Sequence, residues 1–350
     1  MIIIESFSTA LLLLVVTMFC WGSWANTQKL ATTKWPFQLF YWDYTLGIVF
    51  AALLIGITMG SYGEEGRPFI EDLQQANSTA FGSALLGGVI FNLANLLLVA
   101  AIDIAGMAVA FPIGIGIALV LGVIVNYAAE SRGNPYMLFG GVILVLLAII
   151  LNAIAYKKLP NSNNKSSRKG ILLSLAAGVL MGFFFRFVAA SMSMDFSTPE
   201  IGLFTPYSAL FVFGIGILLS NFLWNTLFMY KPIKGPIVPF KDYISQGNWK
   251  LHSIGLLGGL IWCIGMGFSL IATEQAGPAI SYGLGQGATM VAAAWGVFIW
   301  KEFEAAKKQT RPLISMMFLL FAVGIGLIIV ARLDDGTLSE SISTISPDFK

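Results

Sequence analysis

Apolar residues run in stretches of about twenty, the length a helix needs to cross a ~30 Å hydrocarbon layer. Ten such stretches lie at residues 8–28, 39–59, 79–102, 107–128, 135–155, 170–192, 203–228, 254–273, 278–300 and 312–332. Ten-residue segments of alternating polarity, the mark of an outer-membrane barrel, are missing. The pattern predicts an all-α polytopic membrane protein with ten transmembrane helices. The opening MIIIES carries Glu5 and no Lys or Arg, and the apolar run after it is too long for a signal peptide. Composition agrees: 57% of residues are hydrophobic and 11% charged, against roughly 25% charged in soluble domains.

The pattern also repeats. GGVIFNLANLLLVAAIDIAGMAVAFPIGIGIALV from Gly87 aligns without a gap to GGLIWCIGMGFSLIATEQAGPAISYGLGQGATMV from Gly258. Gly88/Gly259, Ala105/Ala276, Gly106/Gly277 and Gly114/Gly285 are among the identical pairs, and Asp103 meets Glu274. The chain then divides into a five-helix repeat over 1–155, a basic linker over 156–169, a second five-helix repeat over 170–332 and a polar tail over 333–350, expected to be disordered. Five is odd, so the second copy enters the membrane from the opposite side. A 5+5 inverted-topology repeat follows, and such repeats place transport sites at their interface.

Charge sets an orientation. The loops after spans 1, 3, 5, 7 and 9 hold fifteen Lys or Arg, the remaining loops and ends four, and Arg186 lies within span 6. Cytoplasmic loops carry the basic excess. Both termini are therefore expected outside and the linker 156–169 inside, in a multi-pass plasma-membrane protein. Asp103 then sits on the cytoplasmic face and Glu274 on the outer face, as paired gate or coupling acids or as plain helix-end residues.

Soluble-enzyme patterns are absent. The one histidine, His252, falls in an inner loop, which leaves no His-based triad or clustered metal site in the membrane. No GxxxxGK[ST] loop occurs. Neither an enzyme nor a nucleic-acid partner is expected. Nor is a cofactor, the proton being the expected coupling ion; the expected partners are a small-molecule substrate and the bilayer, and a homodimer stays open. Cys20 and Cys263 read as small buried hydrophobes, and Asn77-Ser78-Thr79 is a formal glycosylation sequon.

Transport needs mid-depth polar groups, aromatic walls and, if protons drive it, a titratable residue. Arg186, in MGFFFRFVAA, either meets a substrate or gate acid or snorkels to the outer interface. Asp43, in FYWDYT, is either a proton-coupling carboxylate among aromatics or a helix-start acid. Substrate candidates are Trp21, Trp24 and Asn26 in span 1, Asn92 and Asn95 in span 3, Phe111 in span 4, Tyr207 in span 7, and the stripe Tyr282, Gln286 and Thr289 in span 9. Aromatic faces with neutral amides suit a ring-shaped, polyhydroxylated or amide-bearing solute. The rival reading is hydrogen bonding between helices.

The segments CWGSWANTQKL, YWDYT, GRPFIEDLQQAN, GGVIFNLANLL and EQAGPAISYGLGQGATMVAAAWGVFIWKEF resemble the drug/metabolite transporter superfamily. Within it the chain is similar to the branch of ureide permeases and bacterial glucose or rhamnose uptake proteins, and it departs from plant ureide permeases in its short central loop. The resemblance implies proton-coupled uptake of a small solute through a pocket between spans 1–4 and 6–9, with spans 5 and 10 peripheral. A monosaccharide is the first expectation, a ureide or oxo-heterocycle such as allantoin or uracil the alternative, and drug export a third reading.

Overall fold

The computed structural model describes residues 1–31, 35–160 and 168–345, with side chains to 334. In chain order the α-helices are α1 (Phe7–Ser23), α2 (Ala25–Ala31), α3 (Phe37–Ile57), α4 (Phe69–Gln75), α5 (Ser78–Ala105), α6 (Met107–Ala129), α7 (Pro135–Lys157) and α8 (Arg168–Ala190). There follow α9 (Pro206–Tyr230), α10 (Lys241–Ser245), α11 (Trp249–Ile271), α12 (Thr273–Ala276), α13 (Pro278–Gly285), α14 (Ala288–Ala294) and α15 (Lys307–Ile345). Among the described residues nine helical stretches are long and apolar enough to cross a membrane. Large apolar side chains such as Leu12, Phe19, Leu219 and Phe222 point outward, while Asn92, Asn126, Asn221 and Asn225 are buried. That inversion of the soluble pattern marks an all-α polytopic membrane protein.

Local signals place the helix starts. Ser6, Asn77, Asn134 and Asn248 each accept a backbone N–H from the first turn of α1, α5, α7 and α11. Asn77, the sequon residue, therefore serves as a cap.

Expected span 278–300 is not continuous. It breaks at Gly285-Gln286-Gly287 into α13 and α14 and ends in a π-helical turn, Trp295–Ile299. Glycine weakens a helix, and α1 crosses tightly here: a Cβ on Gly285 would press on the Trp21 ring and one on Gly287 on the Met18 methyl. Through the break, Gly287 N–H and Thr289 N–H bond three residues back, to Leu284 O and Gln286 O. The first span is interrupted too, at Trp24 between α1 and α2.

The tail departs from expectation, because α15 runs on to Ile345. A helix already nucleated by a membrane span extends at little further cost. Residues 161–167 of the linker and 346–350 of the tail lie outside the described residues.

Contacts recur across the halves. A Cβ on Gly88 of α5 would overlap the α9 backbone at Phe213, and one on Gly259 of α11 the α3 backbone at Tyr44. Gly106 and Gly277, at matching positions before α6 and α13, have nearly the same backbone, φ 79° ψ 157° and φ 81° ψ 152°. A side chain rarely tolerates that region, which explains glycine at both.

The loops sort to two ends. At one, the Met1 ammonium donates to Glu65 O (2.6 Å), Arg132 to Glu274 O (2.6 Å), Phe196 N–H to Glu274 Oε1 (2.7 Å) and Asn134 to Asp334 (2.7 Å). A buried clasp locks this end. Arg67 pairs with Asp72 at 2.9 Å, and Asp72 Oδ2 accepts both the N–H and the hydroxyl of Thr205 (2.8 and 3.0 Å). At the other end Glu302 accepts from Lys29 and from Tyr156 (both 2.6 Å), and Lys234 donates to Asp103 O.

Candidate functional site

Between the broken first and ninth spans lies a cavity of about 240 Å³. Its walls are the rings of Trp21, Trp24, Phe91, Phe111, Phe184 and Trp262, with Met107 and Met181 filling between them. Two side-chain amides face it, Asn95 and Gln286, and among the described residues no charged side chain lines it. Trp21 and Trp262 stack with centroids 5.9 Å apart and planes 11° from parallel, and Phe91 lies 4.4 Å from Trp262. The rings are fixed from behind: Trp21 Nε1 donates to Trp262 O (3.3 Å), and Asn95 Nδ2 to the Tyr41 hydroxyl (3.1 Å). Gln286 sits in the helix break. Among the described residues its amide makes no hydrogen bond to protein. A donor and an acceptor are left for a solute.

The cavity continues toward the basic-loop end. It shares Val99 and Ile102 with a 490 Å³ space bordered by Gln28, Asp103 and Lys234, and Ala25, Met107 and Phe111 with a 410 Å³ space bordered by Asn26, Asn152, Tyr156, Thr289 and Glu302. Asn152 and Tyr156 belong to α7, so the fifth span, expected at the periphery, contributes to the vestibule. Toward the opposite end, packed aromatics close the path. The single Tyr282 hydroxyl proton is shared between Ala118 O (3.0 Å) and Met181 O (3.2 Å), with Phe184 and Phe185 against its ring.

Of the residues singled out by sequence, Trp21, Trp24, Asn95, Phe111 and Gln286 meet in the cavity, and Asn26 and Thr289 line the vestibule. Asn92 instead ties α5 to α9 through Ile217 O (3.2 Å) and Ser220 Oγ (2.9 Å). Tyr207 donates to Ile2 O (2.7 Å) at the far end, and Tyr282 is part of the plug. Arg186 does not reach the cavity. It lies about one turn before the end of α8, on the outward stripe of Val179, Phe183 and Ala190, and among the described residues has no hydrogen bond or ion pair. From there its stem can carry the guanidinium along the surface to water. Asp103 is exposed at the open end, while Glu274 is part-buried at the closed one.

Sequence reading missed Phe91 and Trp262, although they carried a signal: they are 171 residues apart, both aromatic, at one offset in the repeat. Met181 and Phe184 gave none, since an apolar stripe does not say which face meets a cavity.

His252 was also misplaced. It lies in the first turn of α11, where Nδ1 is 3.0 Å from both carboxylate oxygens of Asp43. The Tyr243 hydroxyl donates to Asp43 Oδ1, and burial pushes that phenol above its ordinary pKa. A fully buried Trp35 packs on both rings. Asp43 thus has two specific partners, one from α10 and one from α11, rather than a helix-start role.

The sequence profile of a family described as ureide permease matches residues 40–169 and 157–331. The chain is 24% identical to ureide permease 1 of Arabidopsis thaliana over 95% of its length and 99% of that protein's. It is 24% identical to ureide permease 5 of the same plant, over 94% and 95%. The "Probable glucose uptake protein GlcU" of Bacillus cereus matches at 23% over 80% of this chain and 87% of that one. A solved crystal structure superposes with a TM-score of 0.59 at 13% identity, covering 93% of this chain and 98% of the other, which marks a shared fold.

Proposed function

The chain belongs to the ureide permease family, and from that premise we propose a secondary transporter that imports a neutral ureide or oxo-heterocycle, of the allantoin or uracil type, with protons. The observation that carries this reading is the uncharged, ring-walled cavity with the unpaired Gln286 amide at its helix break. A planar heterocycle can stack on indole faces and offer an N–H and a C=O to one side-chain amide. A monosaccharide fits less well. Its several hydroxyls would meet two amides and apolar rings, and each hydroxyl left unpaired costs about 1–3 kcal/mol.

Alternating access follows from an inverted repeat, which the matching glycine crossings and the Gly106/Gly277 conformation support. Equivalent residues sit in opposite surroundings. Phe111 faces the open cavity while its counterpart Tyr282 is buried, and Asp103 is exposed while Glu274 is bonded. We read this as one of two states that exchange those surroundings. With basic loops facing the cytoplasm, the state is inward-open and both termini lie outside.

Uptake into proteoliposomes of labelled allantoin, uracil, glucose and rhamnose tests the reading. Allantoin or uracil should accumulate and Gln286→Ala should abolish it. Accumulation of the sugars alone would refute it.

Glu274 adds a pH dependence. Desolvation raises its carboxyl above the ordinary range, outweighing the Phe196 N–H and the nearby Arg132. A group with a raised pKa in the closed form favours closure fully at low pH, and that contribution is lost as pH rises through the raised value. Maleimide labelling of a Ser193→Cys variant, normalised to denatured protein, should therefore increase with pH. Adding Glu274→Gln should flatten the increase.

A further inference from the structure

We infer that Asp43, His252 and Tyr243 form the proton-binding site of the transport cycle, outside the solute cavity, and that its charge state controls docking of residues 241–252 on α3. The inference rests on the proposed proton-coupled transport and adds where the proton sits. Three elements converge on one buried carboxylate: α3 supplies Asp43, 2% exposed, α10 the Tyr243 hydroxyl, and α11 the imidazole of His252. Gly255, one turn beyond His252, makes room, because a Cβ there would collide with the Asp43 side chain. Trp35 closes the cluster, edge-on to His252 at 5.3 Å and tilted against Tyr243 at 5.9 Å.

Charge accounting makes this a switch. With one proton shared between carboxylate and imidazole the pair is neutral overall. Without it the buried carboxylate retains, among the described residues, only neutral donors, which low-dielectric surroundings disfavour. Among the described residues no Lys or Arg pairs with Asp43. Lys241, Asp242 and Lys250, on the same segment, make no hydrogen bond or ion pair with it. From the other side of α3, α9 presents the amides of Asn221 and Asn225, and Tyr230 at its end accepts from Phe240 N–H. Proton loss therefore favours release of the segment toward water.

The same helices reach the cavity. Tyr41, two residues before Asp43, accepts from Asn95, and Tyr44, one residue after, packs at 4.8 Å on Trp24. Trp262 is on α11 with His252. Shifting α11 against α3 would move a ring and an amide of the solute wall together.

The test uses full-length protein with a histidine-free affinity tag, reconstituted in liposomes, and labelled allantoin as probe. A pH gradient of one unit supports roughly tenfold accumulation per proton. Asp43→Asn should lose accumulation altogether while retaining measurable allantoin counterflow, which moves no net proton, and His252→Gln should displace the pH profile of uptake. Asp43→Asn protein that still accumulates allantoin up the gradient overturns the proposal. Wild-type protein without counterflow would defeat the ureide reading instead. The pair is then judged by NMR titration of the imidazole, the only one in the chain. A midpoint that moves in Asp43→Asn and Tyr243→Phe supports a shared proton, and an unmoved midpoint overturns it.

Discussion

Replacing Asp72 with alanine is expected to cost about 3–5 kcal/mol of stability, the usual penalty for breaking one side of a buried ion pair. Asp72 is fully buried. Its loss strands the Arg67 guanidinium, which also donates to Leu203 O, Pro199 O and Glu200 O, and leaves the Thr205 N–H and hydroxyl without an acceptor. Both halves of the molecule are affected, because the clasp ties α4 and its preceding loop to residues 199–205. Arg67→Lys should also weaken it, since an ammonium cannot fan out to four acceptors as a guanidinium does. Denaturant unfolding in detergent micelles checks the figure. A loss below about 1 kcal/mol, the level of an exposed pair, would contradict the clasp.

Trp262→Ala is expected to have the second large effect, on stability and transport together. The indole is almost buried, stacks on Trp21, and touches Phe91 and Phe213. Truncating such a core aromatic costs about 3–5 kcal/mol. A stacked ring face contributes about 1–3 kcal/mol to binding an aromatic base by alanine substitution, so solute affinity should fall roughly 5- to 150-fold. Trp262→Phe keeps a face and should restore most of both. Equal affinity in Trp262→Ala protein that is still folded would remove this wall from the site.

Much of the architecture was legible in the chain because the bilayer imposes it. Backbone groups in hydrocarbon must bond within their own segment, so a long apolar run is a helix whatever it packs against. The repeat offset also carried three-dimensional content, pairing Phe91 with Trp262 and Gly88 with Gly259. Site residues were less legible. Asn92 and Asn95 are three apart on α5, yet one ties two helices together and the other faces the cavity, a difference of helix rotation that neighbours decide. His252 read as a loop residue because apolar character begins after it, whereas the helix starts at the Asn248 cap.

By itself the sequence determined a polytopic helical membrane protein, the repeat it carries, and a supply of aromatic and amide side chains. Those follow from transfer of apolar length into lipid, which is additive along the chain. Only the tertiary structure decided that Gln286 is left unpaired in a break, that Arg186 lies away from the cavity, and that Asp43 meets His252 across 209 residues. Such outcomes depend on which helix faces meet and how closely, and glycine crossings and packed rings set that geometry between segments.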